Sequence, residues 1–230
     1  MNLYFLVEGK TERKVYPKWL AHLAPQLERV NFPCEATVNN YCLISGGGFP
    51  SILDNHLVDS AADVNASGKF DYFVLAIDTD DVSATEKIEE VKKFITDHNI
   101  VFNDCEVVIL PQVVCMETWF LGNPRIYSKN SSSAECSTFS KYYDVARNDP
   151  EKMRQPQDSC GSIGDYHFQY LKSMLRGKNI RYSKKNPQEV TKPYYIDALR
   201  NRVELDQNCL SSMRNFFYAL GKITKKEVIW

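Results

Sequence analysis

The sequence predicts an α/β protein with a mainly parallel sheet of about four strands flanked by helices, followed by a helical C-terminal extension. Short continuous apolar runs alternate with amphipathic segments, and polar or acidic residues follow the runs directly. Continuous apolar runs are typical of strands that are buried on both faces. Because strands that alternate with helices form crossover units, the sheet is expected to be parallel.

The first strand is predicted at Leu3–Val7, an uninterrupted apolar run that ends at Glu8. The next segment repeats an apolar residue every fourth position, as the buried face of a helix does: Val15, Trp19, Leu23 and Leu27. A second strand is predicted within residues 34–44, before the Ser-Gly-Gly-Gly sequence at 45–48. Pro50 then suits the first position of a second helix.

Residues 70–77 (FDYFVLAI) give the strongest strand prediction, and they lead directly into the sequence Asp-Thr-Asp-Asp at 78–81. Ser83 and Glu86 have the spacing of a capping box, which predicts a third helix. Residues 106–110 form the fourth predicted strand, which Pro111 is expected to end. This pattern defines a predicted core domain at residues 1–122.

The remainder of the chain is less regular. Residues 123–164 are polar, and they are predicted to be an insertion or mobile region with one short helix near residues 139–147. Residues 165–230 are predicted to be a basic, mainly helical part that packs on the core. This last part includes the helical apolar positions Leu210, Met213, Phe217 and Leu220.

The charge of the chain is unevenly distributed. Of 230 residues, 28 are Lys or Arg and 29 are Asp or Glu, so the net charge is −1. Residues 172–230 alone contain 13 basic and 5 acidic residues. The overall balance excludes a histone-like basic protein and a disordered acidic one. The split instead indicates an acidic body with a basic end.

The seven cysteines have irregular spacing and no C-x-x-C, which excludes a recognisable disulfide framework or zinc site. Free thiols favour a reducing compartment, so we expect a cytoplasmic protein. No apolar stretch approaches the roughly 18 residues that a membrane span needs, and no membrane association is expected.

Two groups of carboxylates follow predicted strands. Glu8 and Glu12 come after the first strand, and Asp78, Asp80 and Asp81 come after the third. Ligands collect at the carboxyl ends of parallel strands, and crowded carboxylates are commonly neutralised by a divalent cation. Oxygen ligands favour Mg²⁺ or Mn²⁺ over zinc. The alternative is that these side chains only cap the following helices.

These motifs resemble a known family. Residues 7–12 (VEGKTE) resemble the V-E-G-x-[ST/D]-[DE] motif of TOPRIM domains, and residues 78–80 (DTD) match the family's D-x-D motif. Residues 116–120 (METWF) are similar to the I-E-x-W-L segment of the small stand-alone TOPRIM proteins of bacterial and phage-defence loci, and the family also includes the OLD-type nucleases. The resemblance covers about residues 3–122 and implies a TOPRIM-like core.

The resemblance also implies roles for individual residues. Glu8 is expected to be the central acidic residue, either as a metal ligand or as a general base. Asp78 and Asp80 are expected to bind Mg²⁺, and Glu12 and Glu117 are candidate additional ligands. The alternative for Glu117 is a surface carboxylate on an apolar helix.

A basic segment follows the core. Arg181, Lys184, Lys185 and Lys192 are interleaved with tyrosines, and such a pattern suits contacts to phosphates and unpaired bases. The alternative is a solvated basic face. The TOPRIM resemblance further implies one lysine near the metal; Lys184, Lys185 and Lys192 are all eligible, with Lys192 taken as the catalytic candidate.

The glycine-rich sequence at 45–48 matches neither a P-loop nor a dinucleotide-binding motif, so ATP hydrolysis by this chain is not expected. A tight structural turn is the favoured interpretation, and a phosphate-binding turn at a helix N-terminus is the alternative.

Together these observations predict a Mg²⁺-dependent TOPRIM nuclease that hydrolyses phosphodiester bonds in DNA or RNA, tRNA included. The resemblance implies an antiviral defence effector that is controlled by a partner ATPase, with a homodimer as one option for its assembly. One alternative is a non-catalytic module that docks nucleic acid or the ATPase. Another is a Mg²⁺-dependent phosphotransfer enzyme that acts on a small phosphorylated substrate.

Overall fold

The computed structural model describes residues 1–127 and 134–225, without the side chains of residues 134–136. In this part of the chain one sheet contains five strands: β1 Leu3–Val7, β2 Glu28–Val30, β3 Asn40–Ser45, β4 Tyr72–Asp78 and β5 Glu106–Gln112. All neighbouring strands are parallel, and their order is β2-β3-β1-β4-β5. The predicted α/β class with a parallel sheet is therefore confirmed, and the expected strand count of about four is corrected to five.

The additional strand, β2, escaped prediction because it is short and lies at the edge of the sheet. Its three residues are exposed or only partly buried, so they form no apolar run. The strand expected within residues 34–44 begins only at Asn40, because Pro33–Glu35 forms a 3₁₀ turn. At the other edge, β5 continues through Pro111 to Gln112, since an edge strand tolerates a residue without an N–H.

Helices cover both faces of the sheet. The described α-helices are α1 Lys10–Leu23, α2 Val58–Ser67, α3 Ala84–Asp97, α4 Met116–Leu121, α5 Ala134–Tyr142, α6 Ile163–Arg176, α7 Pro193–Leu205 and α8 Ser211–Thr224. A π-helical segment, Ile52–Leu57, leads into α2. The short helix expected near residues 139–147 is α5, which begins earlier. None of the helices in the described ranges is long and apolar enough to cross a membrane.

Alternate residues of β1 point into two separate cores. Leu3, Phe5 and Val7 pack in a large core with α1, α4, α6, α7 and α8. Tyr4 and Leu6 pack in a smaller core with α2 and α3 on the opposite face. Burial of β1 on both faces is the physical reason for its uninterrupted apolar sequence.

The segment at 123–164, which was expected to be a polar insertion, contributes to the larger core. Ile126, Val145 and Met153 are buried there beside residues of α4 and α6. Arg202 on α7 holds this segment in place. Its guanidinium donates hydrogen bonds to the backbone carbonyls of residues 122, 145 and 148. The helical C-terminal part also packs directly on the sheet, since α8 contacts β5.

Candidate functional site

The carboxyl ends of β1, β4 and β5 lie side by side because the three strands are neighbours. Glu8 follows β1 directly, Asp78 is the last residue of β4, and Gln112 is its partner in register at the end of β5. This edge also contains the turn that follows β3. It is the position at which open parallel sheets bind ligands.

A cleft of about 370 Å³ opens at this edge. We call it the carboxylate cleft, because four of the predicted metal-binding side chains line it. Its lining residues are Glu8, Gly9, Lys10, Thr11, Glu12, Gly47, Gly48, Asp78, Glu117, Lys184 and Lys185. The structure therefore brings together residues from the end of β4, from α1 and α4, and from three connecting segments: the link between β1 and α1, the 45–48 turn and the segment before α7.

Glu8 joins the end of β4 to the glycine turn. Its Oε2 accepts a hydrogen bond from the backbone N–H of Asp78 at 2.9 Å, and its Oε1 accepts one from the N–H of Phe49 at 3.3 Å. Burial raises the pKa of Glu8, the bond from Asp78 opposes this, and the charge of Asp80 adds to it. Glu8 thus positions the backbone around the cleft as well as presenting a carboxylate to it.

Glu12 lies one helical turn further on and is 4% exposed. Burial, reinforced by the nearby carboxylates of Glu117 and Glu8, raises its pKa to about 7. A Cβ atom on Gly9 would lie 2.8 Å from Oε2 of Glu12. The glycine after Glu8 therefore leaves room for the second carboxylate, which gives a physical reason for the E-G-x-x-E pattern.

Asp78 has an unpartnered oxygen in the cleft region. Its side chain keeps some exposed surface, but Oδ1 is buried and has no hydrogen-bond partner. Burial, followed by repulsion from Glu12, Glu8 and Glu117, raises the pKa of Asp78 well above its usual value. A carboxylate in this environment is stabilised by a proton or by a cation.

Glu117 enters the cleft from the first turn of α4 and is 2% exposed, which excludes the surface-carboxylate alternative. Tyr182 donates a hydrogen bond to its Oε1 at 2.9 Å, and the Lys184 ammonium lies 3.9 Å from its Oε2. Partial burial acts to lower the pKa of Lys184, but attraction to Glu117 and the other acidic groups nearby raises it overall.

Three predicted residues do not line the cleft. Asp80 is exposed in the loop after β4, although its charge helps to raise the pKa of Glu8. Lys192 precedes α7, and its ammonium pairs with Glu189 at 2.6 Å. Arg181 is exposed and also lies outside the lining. Of the three eligible lysines, Lys184 and Lys185 line the carboxylate cleft and Lys192 does not.

Sequence reasoning missed several polar residues at this edge of the sheet. Lys87 on α3 is 4% exposed, and its charge lowers the pKa of both Glu8 and Asp80. Gln112 is fully buried beside Asp78, and neither of its amide atoms has a hydrogen-bond partner. Gln112 lies beyond the predicted strand because Pro111 was expected to end it, and Lys87 resembles any lysine on an amphipathic helix.

The glycine turn is tied to β1. The N–H groups of Gly46 and Gly48 donate to the carbonyls of Val7 and Glu8 at 2.8 and 2.9 Å. Gly47 and Gly48 have φ values of 75° and 100°, which favour glycine. Since two of its N–H groups are used internally, the turn fits the structural interpretation better than a phosphate cradle.

The donor set fits the predicted cation. Glu8, Glu12, Asp78 and Glu117 offer only carboxylate oxygens, which suit Mg²⁺ or Mn²⁺, and Oδ1 of Asp78 lacks a partner. Within residues 1–127 and 134–225, no three His, Cys, Asp or Glu side chains are already arranged as a metal-binding group. The oxygens of Glu8 are engaged by backbone N–H groups, and Glu117 is held by Tyr182.

No family model, curated protein or solved structure matches this chain in the comparisons. The class of protein that the coordinates define is an α/β protein with a parallel sheet and an acidic cleft at the carboxyl ends of its strands. The more particular resemblance to TOPRIM domains stays a prediction from the sequence motifs.

Proposed function

We propose that this chain is a TOPRIM-type nuclease that uses Mg²⁺ or Mn²⁺ to hydrolyse phosphodiester bonds in DNA or RNA. The observation that carries the proposal is the convergence of Glu8, Glu12, Asp78 and Glu117 on one cleft that three lysines also line. Carboxylates alone repel a polyanion, whereas carboxylates with a cation and neighbouring lysines attract it.

Glu12, Asp78 and Glu117 are the residues that would hold the cation, with Glu8 beside them. A divalent cation in such a site activates water and stabilises negative charge on a phosphoryl group. Tyr182 orients Glu117 through its hydrogen bond, and Lys184 offers a positive charge to phosphate oxygens. Glu12 has a pKa of about 7 in the cation-free protein, so the cation would displace a proton from it near neutral pH.

A second candidate is phosphotransfer on a small phosphorylated molecule. A cleft of about 370 Å³ falls in the size range of small-molecule pockets, which supports this alternative. It predicts release of phosphate from nucleotides or sugar phosphates with no cleavage of polymers. A non-catalytic docking module predicts binding of nucleic acid with no change to any of these substrates.

A cleavage assay separates these functions. Purified protein is incubated with single-stranded DNA, duplex DNA, total tRNA and small phosphate esters in Mg²⁺, Mn²⁺ or EDTA. We expect polymer cleavage that requires the cation and that falls at least about 100-fold in Asp78→Asn and Glu12→Gln. Glu89→Gln, which removes an exposed carboxylate on α3, is the matched control. Undiminished cleavage by both cleft variants would refute the proposed site.

The role as a defence effector under a partner ATPase is proposed from the motif resemblance. The cleavage assay is therefore repeated with and without a candidate ATPase chosen from the neighbouring genes. We expect the ATPase to change the cleavage rate of the wild-type protein. An unchanged rate, together with no co-purification of the two proteins, would remove this part of the proposal.

A further inference from the structure

The exposed face of α1 is a row of positive charges that leads away from the carboxylate cleft. Basic residues recur there at helical spacing, while Glu12, Tyr16 and Trp19 occupy the buried face. An open groove of about 590 Å³ follows this row, and we call it the basic groove. It is lined by Lys10, Arg13, Lys14, Pro17, Lys18, Arg29 and Lys185.

The charges of the basic groove are not neutralised by the protein. No side chain of the described residues pairs with Lys10, Arg13, Lys18 or Arg29, and none of the described lining residues is acidic. The Lys14 ammonium donates a hydrogen bond to the backbone carbonyl of Lys185. This acceptor carries no charge, so the positive charge of Lys14 is not neutralised. Because adjacent unpaired cations repel one another, this surface is suited to a polyanion. The positive charges of the groove would replace the counterions of the polyanion.

The basic groove is continuous with its neighbours. Lys10 and Lys185 line both the groove and the carboxylate cleft. At the other side, Arg13 and Arg29 also line a depression of about 550 Å³ that contains Phe32. Phe32 is 62% exposed, so its ring is open to contact with a ligand. Positions 10 to 18 of α1 extend over about 12 Å, at 1.5 Å per residue.

We propose that a single-stranded nucleic acid lies along this path. Its phosphates contact the cations of the basic groove, and an unpaired base stacks on Phe32. A single strand is favoured because the faces of its bases are free to stack on an aromatic ring, whereas a duplex covers them. The inference rests on the proposed function only for the continuation of the strand into the carboxylate cleft.

This surface differs from the one expected from the sequence. The fold places the lysines of the predicted basic segment in different surroundings. Lys192 pairs with Glu189, whereas Lys185 lines the basic groove beside residues of α1. Lys14 and Lys185 are 171 residues apart in sequence. The cations that form the groove thus come mostly from the acidic body of the chain.

Binding is measured in EDTA, so that cleavage plays no part. Fluorescence anisotropy follows labelled 20-nucleotide DNA and RNA strands and the matching duplex over a range of salt concentrations. The test variant is Arg13→Gln/Lys14→Gln/Lys18→Gln, and the control Lys92→Gln/Lys93→Gln/Lys178→Gln removes three exposed charges elsewhere. Circular dichroism checks that both variants remain folded.

We expect the α1 variant to bind single strands about 100-fold more weakly at 0.1 M salt. Three lost phosphate contacts at about 0.7 each would lower the slope of log K against log salt by about 2. The control variant should keep the wild-type slope. Equal slopes in the two triple variants, or no binding of single strands by the wild-type protein, would overturn the proposal.

The aromatic contact has a separate signature. Phe32→Ala should weaken single-strand binding about 10-fold without changing the salt slope, because stacking is not electrostatic. Tyr218→Ala removes an aromatic ring that is 57% exposed on α8 and serves as the control. The single-strand assignment would be refuted if the wild-type protein bound duplex and single strands equally tightly and Phe32→Ala kept the wild-type affinity for single strands.

The outcomes separate this inference from the proposed nuclease activity. Loss of binding in the α1 variant, combined with a wild-type protein that cleaves nothing, would support the basic groove and refute the nuclease. Cation-dependent cleavage by a wild-type protein whose binding is unchanged in the α1 variant would support the nuclease and refute the basic groove.

Discussion

Replacement of Glu12 by Gln should stabilise the protein at alkaline pH when no cation is present. Glu12 is 4% exposed, and its neighbours in the cleft include Glu117 and Glu8. Ionisation there is opposed by burial and by repulsion, so the charged carboxylate lowers the free energy of unfolding. Gln retains the shape of the side chain and removes the charge.

The magnitude follows from the pKa of Glu12, which rises from 4.5 to about 7 on folding. Between these values the folded protein holds a proton that the unfolded chain has lost, so stability falls as pH rises. The stabilising contribution is complete below pH 4.5 and is lost above about pH 7. At 1.36 kcal/mol per pH unit the difference is about 3 kcal/mol, which is 6–12 °C in Tm for a chain of this size.

Urea unfolding at pH 5, 6, 7 and 8 in EDTA measures this difference. We expect the Glu12→Gln and wild-type proteins to unfold at similar urea concentrations at pH 5, and the variant to be more stable at pH 8. The exposed Glu89→Gln substitution should follow the wild type throughout. Parallel stability curves for wild type and Glu12→Gln would refute the assignment of a buried, repelled carboxylate.

Addition of the cation should remove or reverse the stability advantage of Glu12→Gln at pH 8. A cation that binds only the folded protein stabilises it by about 2.7 kcal/mol at 100 times its dissociation constant. Mg²⁺ or Mn²⁺ should therefore raise the wild-type Tm at pH 8, and Glu12→Gln should lose most of this gain. The two proteins thus reverse their order of stability or draw level when the cation is added.

Three further predictions concern the support of the site. Ser212→Ala removes a hydroxyl that accepts hydrogen bonds from Trp119 Nε1 at 2.7 Å and from the backbone N–H of Val113, and that donates to the half-buried carboxylate of Glu151. Each of these three hydrogen bonds contributes about 1 kcal/mol, so urea unfolding should show that the free energy of unfolding falls by about 3 kcal/mol. A fall of under about 1 kcal/mol would contradict this network. Gly9→Ala places a Cβ atom against Glu12 Oε2, so differential scanning fluorimetry should show a folded protein with a reduced Mg²⁺-dependent rise in Tm. Burial lowers the pKa of His167 to about 4, so stability is lost as pH falls from 6.5 towards 4, since the unfolded chain takes up the proton first. In His167→Gln the pH dependence of urea unfolding over that range should be about 3 kcal/mol smaller, and an unchanged dependence would refute the shift.

Much of the sheet and part of the site followed from local sequence. The apolar runs at β1 and β4 are long enough to predict buried strands, because both faces of these strands are covered. Glu8 and Asp78 follow from the same patterns, since the residue that ends a central parallel strand lies at the ligand-binding edge. Glu12 follows from helical spacing, one turn after Glu8.

Other features depended on which distant segments pack together. Glu117 lies in a segment that sequence resemblance singled out, but only the packing of α4 shows that it is buried and held by Tyr182, 65 residues away. The edge strand β2 has no apolar signature because it buries little surface. Lys185 and Lys192 both lie in the basic segment, and the sequence does not distinguish their roles. In the fold, Lys185 lines the carboxylate cleft and Lys192 pairs with Glu189.

The sequence by itself determined the α/β class, the parallel sheet and the acidic residues that end its central strands. The reason is that periodicity and strand ends are local properties of the chain. Only the tertiary structure decided that the basic groove lies on α1 rather than along residues 181–192. A surface of this kind is assembled from side chains far apart in sequence, and the packing of helices against the sheet sets which of their charges stay unpaired.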